Sequence, residues 1–392
     1  MKPARPRVVL VGGSDVHLRL PLMQRLGGDF EMAALGTSAR LAPAFAEAGF
    51  EYGVYRLGEE GRADPLDQAR AFFDLVRAFR ARRPQVVHAF DARPGVWGCL
   101  AARASGVPVC VGTVNGLGFL YQSSRPALRL AWKVYQGLQG LACRVSDATV
   151  FQNREDAHQL VADGVTPAAK ARIVFGSGVA SEDFAPERVP AAEREALRQE
   201  LGIDKGDLLV TMISRVIRSK GVLEFAAAAR RVQAARPGVR FLLVGPVERS
   251  SLDRLDEAEL RELGESLVWP GARRDVPAVL AASDLLCLPT AYREGLPRVL
   301  LEGGAVGLPL VATDAPGCRD VIEHGVNGLL VRIGDAEGLA EAVLRLVDDP
   351  ELRRRLGDAA RRRVRERFDL SVVAAATGEL YRELLARKGV PS

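Results

Sequence analysis

Several things are scarce in this chain of 392 residues. Its five cysteines (Cys99, Cys110, Cys143, Cys287, Cys318) never form a C-x-x-C pair, which excludes a disulfide framework and a zinc site. Cys110 and Cys287 sit in apolar runs, as buried thiols do. No apolar run reaches the roughly 18 residues of a membrane span. The run at residues 8–11 is short and lacks a cleavage-site pattern, so no signal peptide is expected and a reducing, cytoplasmic compartment follows. No D-x-D pair stands at the spacing of a divalent-metal diphosphate site, and Asp348-Asp349 reads as a helix end. Chemistry without metal or cofactor is therefore expected. The G-x-G-x-x-G dinucleotide fingerprint is also missing, which argues against a nicotinamide-dependent oxidoreductase.

What is present is ordinary for a folded protein: 48% hydrophobic and 26% charged residues, enough apolar surface for a core. The length fits two domains. Charge is uneven. Residues 1–180 hold 22 Lys and Arg against 15 Asp and Glu, and the remainder hold 32 against 34. A basic first half suits an anionic partner, whether phosphates, a phospholipid surface or nucleic acid.

Apolar runs at 8–11, 30–35, 52–57, 86–90, 108–113, 148–152 and 172–175 read as strands, with helices at 39–48, 67–83 and 125–144 among them. Two prolines and a charge cluster at 183–190 mark a linker, which places the boundary near 186. The alternation resumes with strands at 208–213, 240–244, 268–271, 285–289, 309–313 and 328–331 and a helix at 223–235. Such alternation predicts parallel sheets covered on both faces. Helices are expected at 337–348, 350–367 and 370–386, and the last is expected to cross back onto the first domain. The expected division is 1–186, 187–368 and 369–392.

Ligand-binding residues are expected where strands end. Gly12 and Gly13 follow the first strand and let a ligand approach the backbone. His88, with Asp91 after it, ends another, although a buried structural histidine would read the same way. The loop 113–119 is glycine-rich and carries Asn115, Gly116 and Gly118. On the helix after it, Arg125, Arg129 and Lys133 form one basic stripe, and Leu128, Ala131, Trp132, Tyr135 and Leu138 the other side, a pattern suited to an anionic membrane surface. In the second half, Arg215 and Lys220 follow a strand and suit a diphosphate, since a guanidinium forks onto phosphate oxygens and an ammonium adds compact charge. Gly245 and Arg273 end two further strands, and the loop at 271–276 suits a nucleobase through backbone contacts.

The most informative stretch is Y-R-E-G-L-P-R-V-L-L-E-G-G-A-V-G, residues 292–307. Gly295-Leu296-Pro297 should open a helix with Pro297 at its first position. The N–H groups of Leu296, Arg298 and Val299 would then form an anion site. Glu294 before that turn and Glu302 inside the helix flank it as hydroxyl acceptors. A nucleotide-diphospho-sugar has the matching parts, a diphosphate between two polyols.

These segments, with S-R-x4-K-G, V-G-P, G-A-R-R-D-V and T-D-A-P-G-C-R-D-V-I-E, resemble the family-four retaining glycosyltransferases of GT-B architecture over nearly the whole chain. V-N-G-L-G-F-L-Y is similar to the branch that builds bacterial capsule, O-antigen or N-linked glycans on polyprenyl diphosphate. The resemblance implies an α/β fold of two Rossmann-like doubly wound domains facing across a cleft. It implies transfer from a nucleotide-sugar, a UDP-hexose or UDP-N-acetylhexosamine, to a polyprenyl-diphosphate-linked or other glycan, with peripheral attachment to the inner face of the cytoplasmic membrane. By position, Arg215 and Lys220 would bind the diphosphate, Glu302 the ribose and Glu294 the transferred sugar. Gly13 would lie against the donor sugar and phosphate, and His88 near the sugar's 6-position. The departure is Glu302-Gly303-Gly304, where relatives carry Glu-Ala-x-Ala. A sugar-nucleotide epimerase and a catalytically silent nucleotide-sugar-binding subunit remain as alternatives.

Overall fold

Valine and leucine dominate the strands, and strands apolar on both sides need cover on both faces. That is what the computed structural model shows, for residues 5–58, 64–118, 121, 126–249 and 251–390. The first sheet comprises β1 (Arg7–Val11), β2 (Glu31–Gly36), β3 (Glu51–Val54), β4 (Val86–Ala89), β5 (Val109–Val114), β6 (Ala148–Phe151) and β7 (Ala171–Ile173). Its order is β3-β2-β1-β4-β5-β6-β7, and its pairings are parallel. The second comprises β8 (Leu208–Ile213), β9 (Val239–Val244), β10 (Val268–Gly271), β11 (Leu285–Leu288), β12 (Leu310–Thr313) and β13 (Gly328–Val331). Its order is β10-β9-β8-β11-β12-β13, again parallel. Each order reverses direction once, between β1 and β4 in one sheet and between β8 and β11 in the other. Doubly wound sheets bind ligands beside the strand carboxyl ends at such switch points.

The chain separates into two units, one running to Gly178 and resuming at Leu370, the other Val179–Asp369. The boundary thus precedes the proline-rich stretch near 186. Val179 donates its N–H to the Phe368 carbonyl (3.1 Å), and Asp369 accepts from the Ser181 hydroxyl (2.6 Å), so 179–189 belongs to the second unit. The helix Leu370–Arg387 is part of the first unit, where it packs Tyr381 at full burial edge-on to Phe30.

Several helices escape the periodicity reading, notably Ala92–Ala104 after β4. Pro94, Gly95 and Gly98 weaken its intrinsic preference, yet Gly98 lets it lie close on Ala89 of β4. The same reason accounts for Gly303 and Gly304 in the helix Arg298–Val306. A Cβ on Gly303 would collide with Leu286 of β11, and one on Gly304 would stand 2.7 Å from Val364. These glycines let the helix sink between its sheet and the helix Pro350–Arg367, which offsets their unfavourable helix propensity.

Candidate active site

The second unit assembles its polar cluster at the β8/β11 switch point. After β8 the chain makes a short turn, Arg218–Lys220, and passes through Gly221 at φ 78. A side chain there would strike the Pro289 carbonyl after β11. The two loops are stitched together at Ser219, whose carbonyl accepts from the N–H groups of Ala291 (2.7 Å) and Tyr292 (2.9 Å) and from the Thr290 hydroxyl (3.2 Å). This brings Lys220 directly onto Glu294, with side chains 11% and 19% exposed. The ammonium also lies 5.0 Å from the Tyr292 ring centre. Arg215, on the same loop as Lys220, is exposed; its carbonyl accepts from the Ser214 hydroxyl and the Ile217 N–H (both 3.1 Å), and its guanidinium has no hydrogen-bonding or ionic partner among the described residues.

Pro297 occupies the N-cap of the helix Arg298–Val306 rather than its first turn, with ψ 108 holding it extended. The first N–H groups of a helix have no acceptor within it, so the anion-binding character of this end survives the shift by one residue. Leu296 and Pro297 are buried and Val299 is half-buried. Gly295 is held from behind by Gly317, where a Cβ would stand 2.6 Å from the Gly295 carbonyl. Glu302, one turn in, receives Arg298 Nε at 2.7 Å with its own side chain 12% exposed. Burial raises its pKa, and Arg298 opposes that.

Two further residues expected here have partners within the second unit. Arg273 is saturated: Nε (2.9 Å) and Nη2 (2.6 Å) bind Asp275, and Nη1 (2.6 Å) binds Glu200. Its side chain therefore braces its own loop. Gly245 donates its N–H to Gly271 (2.9 Å) and accepts from Trp269 Nε1 (3.2 Å), and a Cβ there would collide with the Ser214 carbonyl. Glycine is needed there because the ends of β8, β9 and β10 converge.

In the first unit the strand ends build a different site. Gly12 is internal: its N–H goes to Leu35 (3.0 Å) and its carbonyl accepts from Tyr55 (3.0 Å). Gly13 donates its N–H to Asp91 Oδ2 (3.3 Å), Asn115 donates to Asp91 Oδ1, and Gln152 donates to Asn115 (2.8 Å). One chain of hydrogen bonds thus ties together the ends of β1, β4, β5 and β6. Gly116 and Gly118 have positive φ, 131 and 64, and shape the loop after β5; Phe119 lies outside the described residues. Asp91 is at the N-cap of Ala92–Ala104 but makes no cap bond; φ 68 and ψ 172 swing its carboxyl away. Such backbone geometry on a residue other than glycine costs about 1–3 kcal/mol and accompanies functional sites. Burial, then the charge of Asp15, pushes its pKa up to about 6. Sequence order alone put Asp91 beside His88, and nothing in it signalled the unusual backbone.

His88 lies inside the first unit. It is 3% exposed, its Nδ1 lies 2.6 Å from the Tyr381 hydroxyl and its Nε2 2.6 Å from Thr113 Oγ1. It stacks on Phe90 at 4.1 Å. Burial, helped by Arg19, drives its pKa down to about 3. A neutral imidazole with both nitrogens engaged ties the helix Leu370–Arg387 to β4 and β5.

Two family descriptions match the chain: "Glycosyl transferase 4-like domain" over residues 20–175 and "Glycosyl transferases group 1" over 193–363. The chain is 27% identical over 290 residues to the Escherichia coli UDP-Gal:alpha-D-GlcNAc-diphosphoundecaprenol alpha-1,3-galactosyltransferase, covering 73% of this chain and 72% of that one. It is 32% identical over 298 residues to a GDP-mannose-dependent alpha-mannosyltransferase of Mycobacterium tuberculosis, covering 74% and 71%. Its fold is similar to that of Anabaena Alr3699/HepE, solved in complex with UDP and glucose, at TM-score 0.79 and 19% identity over 96% of this chain and 100% of that one. With two Rossmann-like units, a polar cluster at the β8/β11 switch point and matches across both halves, the chain belongs to the group 1 glycosyltransferases of GT-B architecture.

Proposed function

We propose that the enzyme moves a hexose or N-acetylhexosamine from a UDP-sugar to a saccharide carried on polyprenyl diphosphate, with retention of anomeric configuration. The observation that carries this reading is the Lys220–Glu294 pair at the β8/β11 switch point, beside the unpaired Arg215 and the start of the helix Arg298–Val306. The donor diphosphate takes Arg215, Lys220 and the first N–H groups of that helix. Glu302 accepts from the ribose hydroxyls. Glu294, released from Lys220 as the diphosphate takes its place, accepts from hydroxyls of the transferred sugar. The UDP choice and the lipid-linked acceptor follow the Escherichia coli relative's name; the GDP-mannose-dependent relative makes the base the point to test.

No side chain of the cluster is a convincing covalent nucleophile. In a front-face transfer the acceptor oxygen bonds to the anomeric carbon as the bond from that carbon to the phosphate oxygen breaks. The acceptor proton passes to the departing phosphate. Arg215 and Lys220 stabilise the charge that develops on it. A thermal-shift panel of UDP-, GDP- and ADP-sugars, followed by transfer assays with the stabilising donor, tests the reading. Stabilisation by none of the three, and no transfer, would defeat it.

Membrane attachment is part of the proposal. The helix Pro126–Val145 exposes Leu130, Val134, Leu138 and Leu141, spaced as one face of a helix, beside exposed Arg129 and Lys133. Trp132 and Tyr135 pack inward, whereas Leu138, grouped with them by sequence, faces out; Arg125 lies outside the described residues. An apolar stripe with a basic flank suits shallow insertion at an anionic surface. Among the described residues no helix is long and apolar enough to cross a membrane.

A further inference from the structure

Beyond Ile213 the chain does not turn at once into its next helix. It runs on beside the continuation of β9, donating from the Ser214 N–H to the Val244 carbonyl (3.0 Å) and from the Val216 N–H to the Pro246 carbonyl (2.9 Å). The pairing then skips to Asp253, on the stretch that leads into the helix Glu257–Ser266. The Asp253 carbonyl accepts the Arg218 N–H (2.9 Å), and its carboxylate Oδ2 accepts the Ser219 N–H (2.7 Å). A carboxylate on a backbone N–H makes a charge-assisted bond, roughly twice as strong as a neutral one. Ser219 is therefore held from both sides, its N–H by Asp253 and its carbonyl by the loop after β11 that carries Glu294. Lys220 is the next residue. Asp253 is itself anchored, through its N–H on Ser251 Oγ (3.1 Å) and through Leu255, 5% exposed in the core of the second unit. A second grip, Arg218 Nη2 on Glu259 (2.8 Å), has its guanidinium half exposed and is worth less.

We propose that Asp253 is a positioning residue for the donor diphosphate, acting through the Ser219 N–H to set where the Lys220 ammonium stands. Two observations carry this. The turn Arg218–Lys220 has three residues and runs into Gly221 at φ 78, so it has little stiffness of its own. A half-buried carboxylate also stands beside the loop where an anionic ligand binds, a placement that costs repulsion unless the acid serves the cations. A turn fixed in advance spares the ordering cost when the diphosphate arrives, because the ammonium is already in place. The inference rests on the transferase reading above and adds a residue to its diphosphate site.

The test uses the full-length enzyme and UDP, with affinities from isothermal titration. Asp253→Ala should weaken UDP binding about 10-fold, the loss expected for one hydrogen bond to a charged group. Asp253→Asn, whose amide oxygen still accepts from the Ser219 N–H, should stay within about 3-fold of the wild type. The decisive comparison repeats Asp253→Ala in a Lys220→Ala background. The further loss there should be about 2-fold or less, because residues that act through one contact are not additive. A side chain that merely supports the fold would cost the same with or without Lys220, so a loss of about 10-fold in both backgrounds would overturn the proposal. Unchanged UDP affinity in Asp253→Ala, or an asparagine variant as impaired as the alanine one, would overturn it as well. Should Asp253→Ala fail to fold, Asp253→Glu takes its place in the cycle. It keeps the charge and moves the carboxylate off the Ser219 N–H, with the same outcomes for and against. A wild type that binds none of the UDP-, GDP- and ADP-sugars defeats the underlying transferase reading instead, an outcome distinct from additive losses.

Discussion

Replacing Glu294 with Gln should strengthen the binding of UDP while removing most transfer. Lys220 is neutralised by Glu294, and both side chains are largely covered. A diphosphate arriving at Lys220 must displace or share that contact, and it meets the carboxylate's negative charge. Two unit charges about 6 Å apart at an effective dielectric near 20 repel by roughly 2–3 kcal/mol. Solvent entering a site open to ligand screens part of this, so about 1–2 kcal/mol is expected, or roughly 5- to 30-fold tighter UDP binding. Glutamine keeps the shape and removes the charge. The second half of the prediction concerns the sugar. A UDP-sugar should gain affinity over UDP in the wild type through Glu294, and that gain should vanish in the variant. Isothermal titration of UDP and of the UDP-sugar against both proteins, at low ionic strength where the effect is largest, gives all four constants. Weaker UDP binding by Glu294→Gln would refute the idea that the acid is set against the diphosphate. A preserved sugar increment would refute its role at the transferred ring.

Lys220→Ala should abolish most transfer and weaken UDP binding, with the circular dichroism of the folded enzyme retained; near-normal turnover would count against the diphosphate site. Gly304→Ala should lower the thermal midpoint, since the added methyl stands 2.7 Å from Val364 and overpacking costs about 1–3 kcal/mol; an unchanged midpoint would show that the two helices part freely. Acid stability should expose two opposed groups. His88 has a folded pKa of about 3 against roughly 6.5 unfolded, so the unfolded chain binds the extra proton and stability is lost as pH falls between those values. Asp91 has a folded pKa of about 6 against roughly 3.9 unfolded, so the native state holds the extra proton and stability is lost as pH rises through that window. The two cancel between about pH 4 and 6, and Asp91→Asn should make stability climb with pH there by about 1.4 kcal/mol per unit more than in the wild type; equal slopes in urea titrations would contradict the burial of Asp91. Finally, Val134→Asp with Leu138→Asp should reduce flotation with anionic liposomes while leaving UDP binding intact, and undiminished flotation would remove the helix Pro126–Val145 from the membrane contact.

Periodicity and punctuation made the fold legible. All thirteen strands stand within a residue or a few of where their apolar runs predict, because a strand covered on both faces must be apolar throughout its length. The helices that were missed, such as Ala92–Ala104, carry proline and glycine for close packing, so their local preference is overruled by contacts distant in sequence. The presence of Gly303 and Gly304 in the Glu302 helix became intelligible only when Leu286 and Val364 were seen against it.

The chain order of residues was sufficient to single out Arg215, Lys220, Glu294 and Glu302 as candidates, because loops after strands, a proline before a helix and charges of the right kind are local properties. It was not sufficient to say who holds whom. His88 ends a strand, and its burial and neutral state were decided by Tyr381, far along the chain, which returns to its side. Arg273 looked free and is claimed by Glu200 and Asp275. Asp91 looked like one more acid, and only the turn of its backbone placed its carboxyl on a cavity wall. Hydrogen-bond satisfaction, burial and strain are decided by neighbours in space, so the composition of each loop was readable in advance and its electrostatic state was left to the tertiary structure.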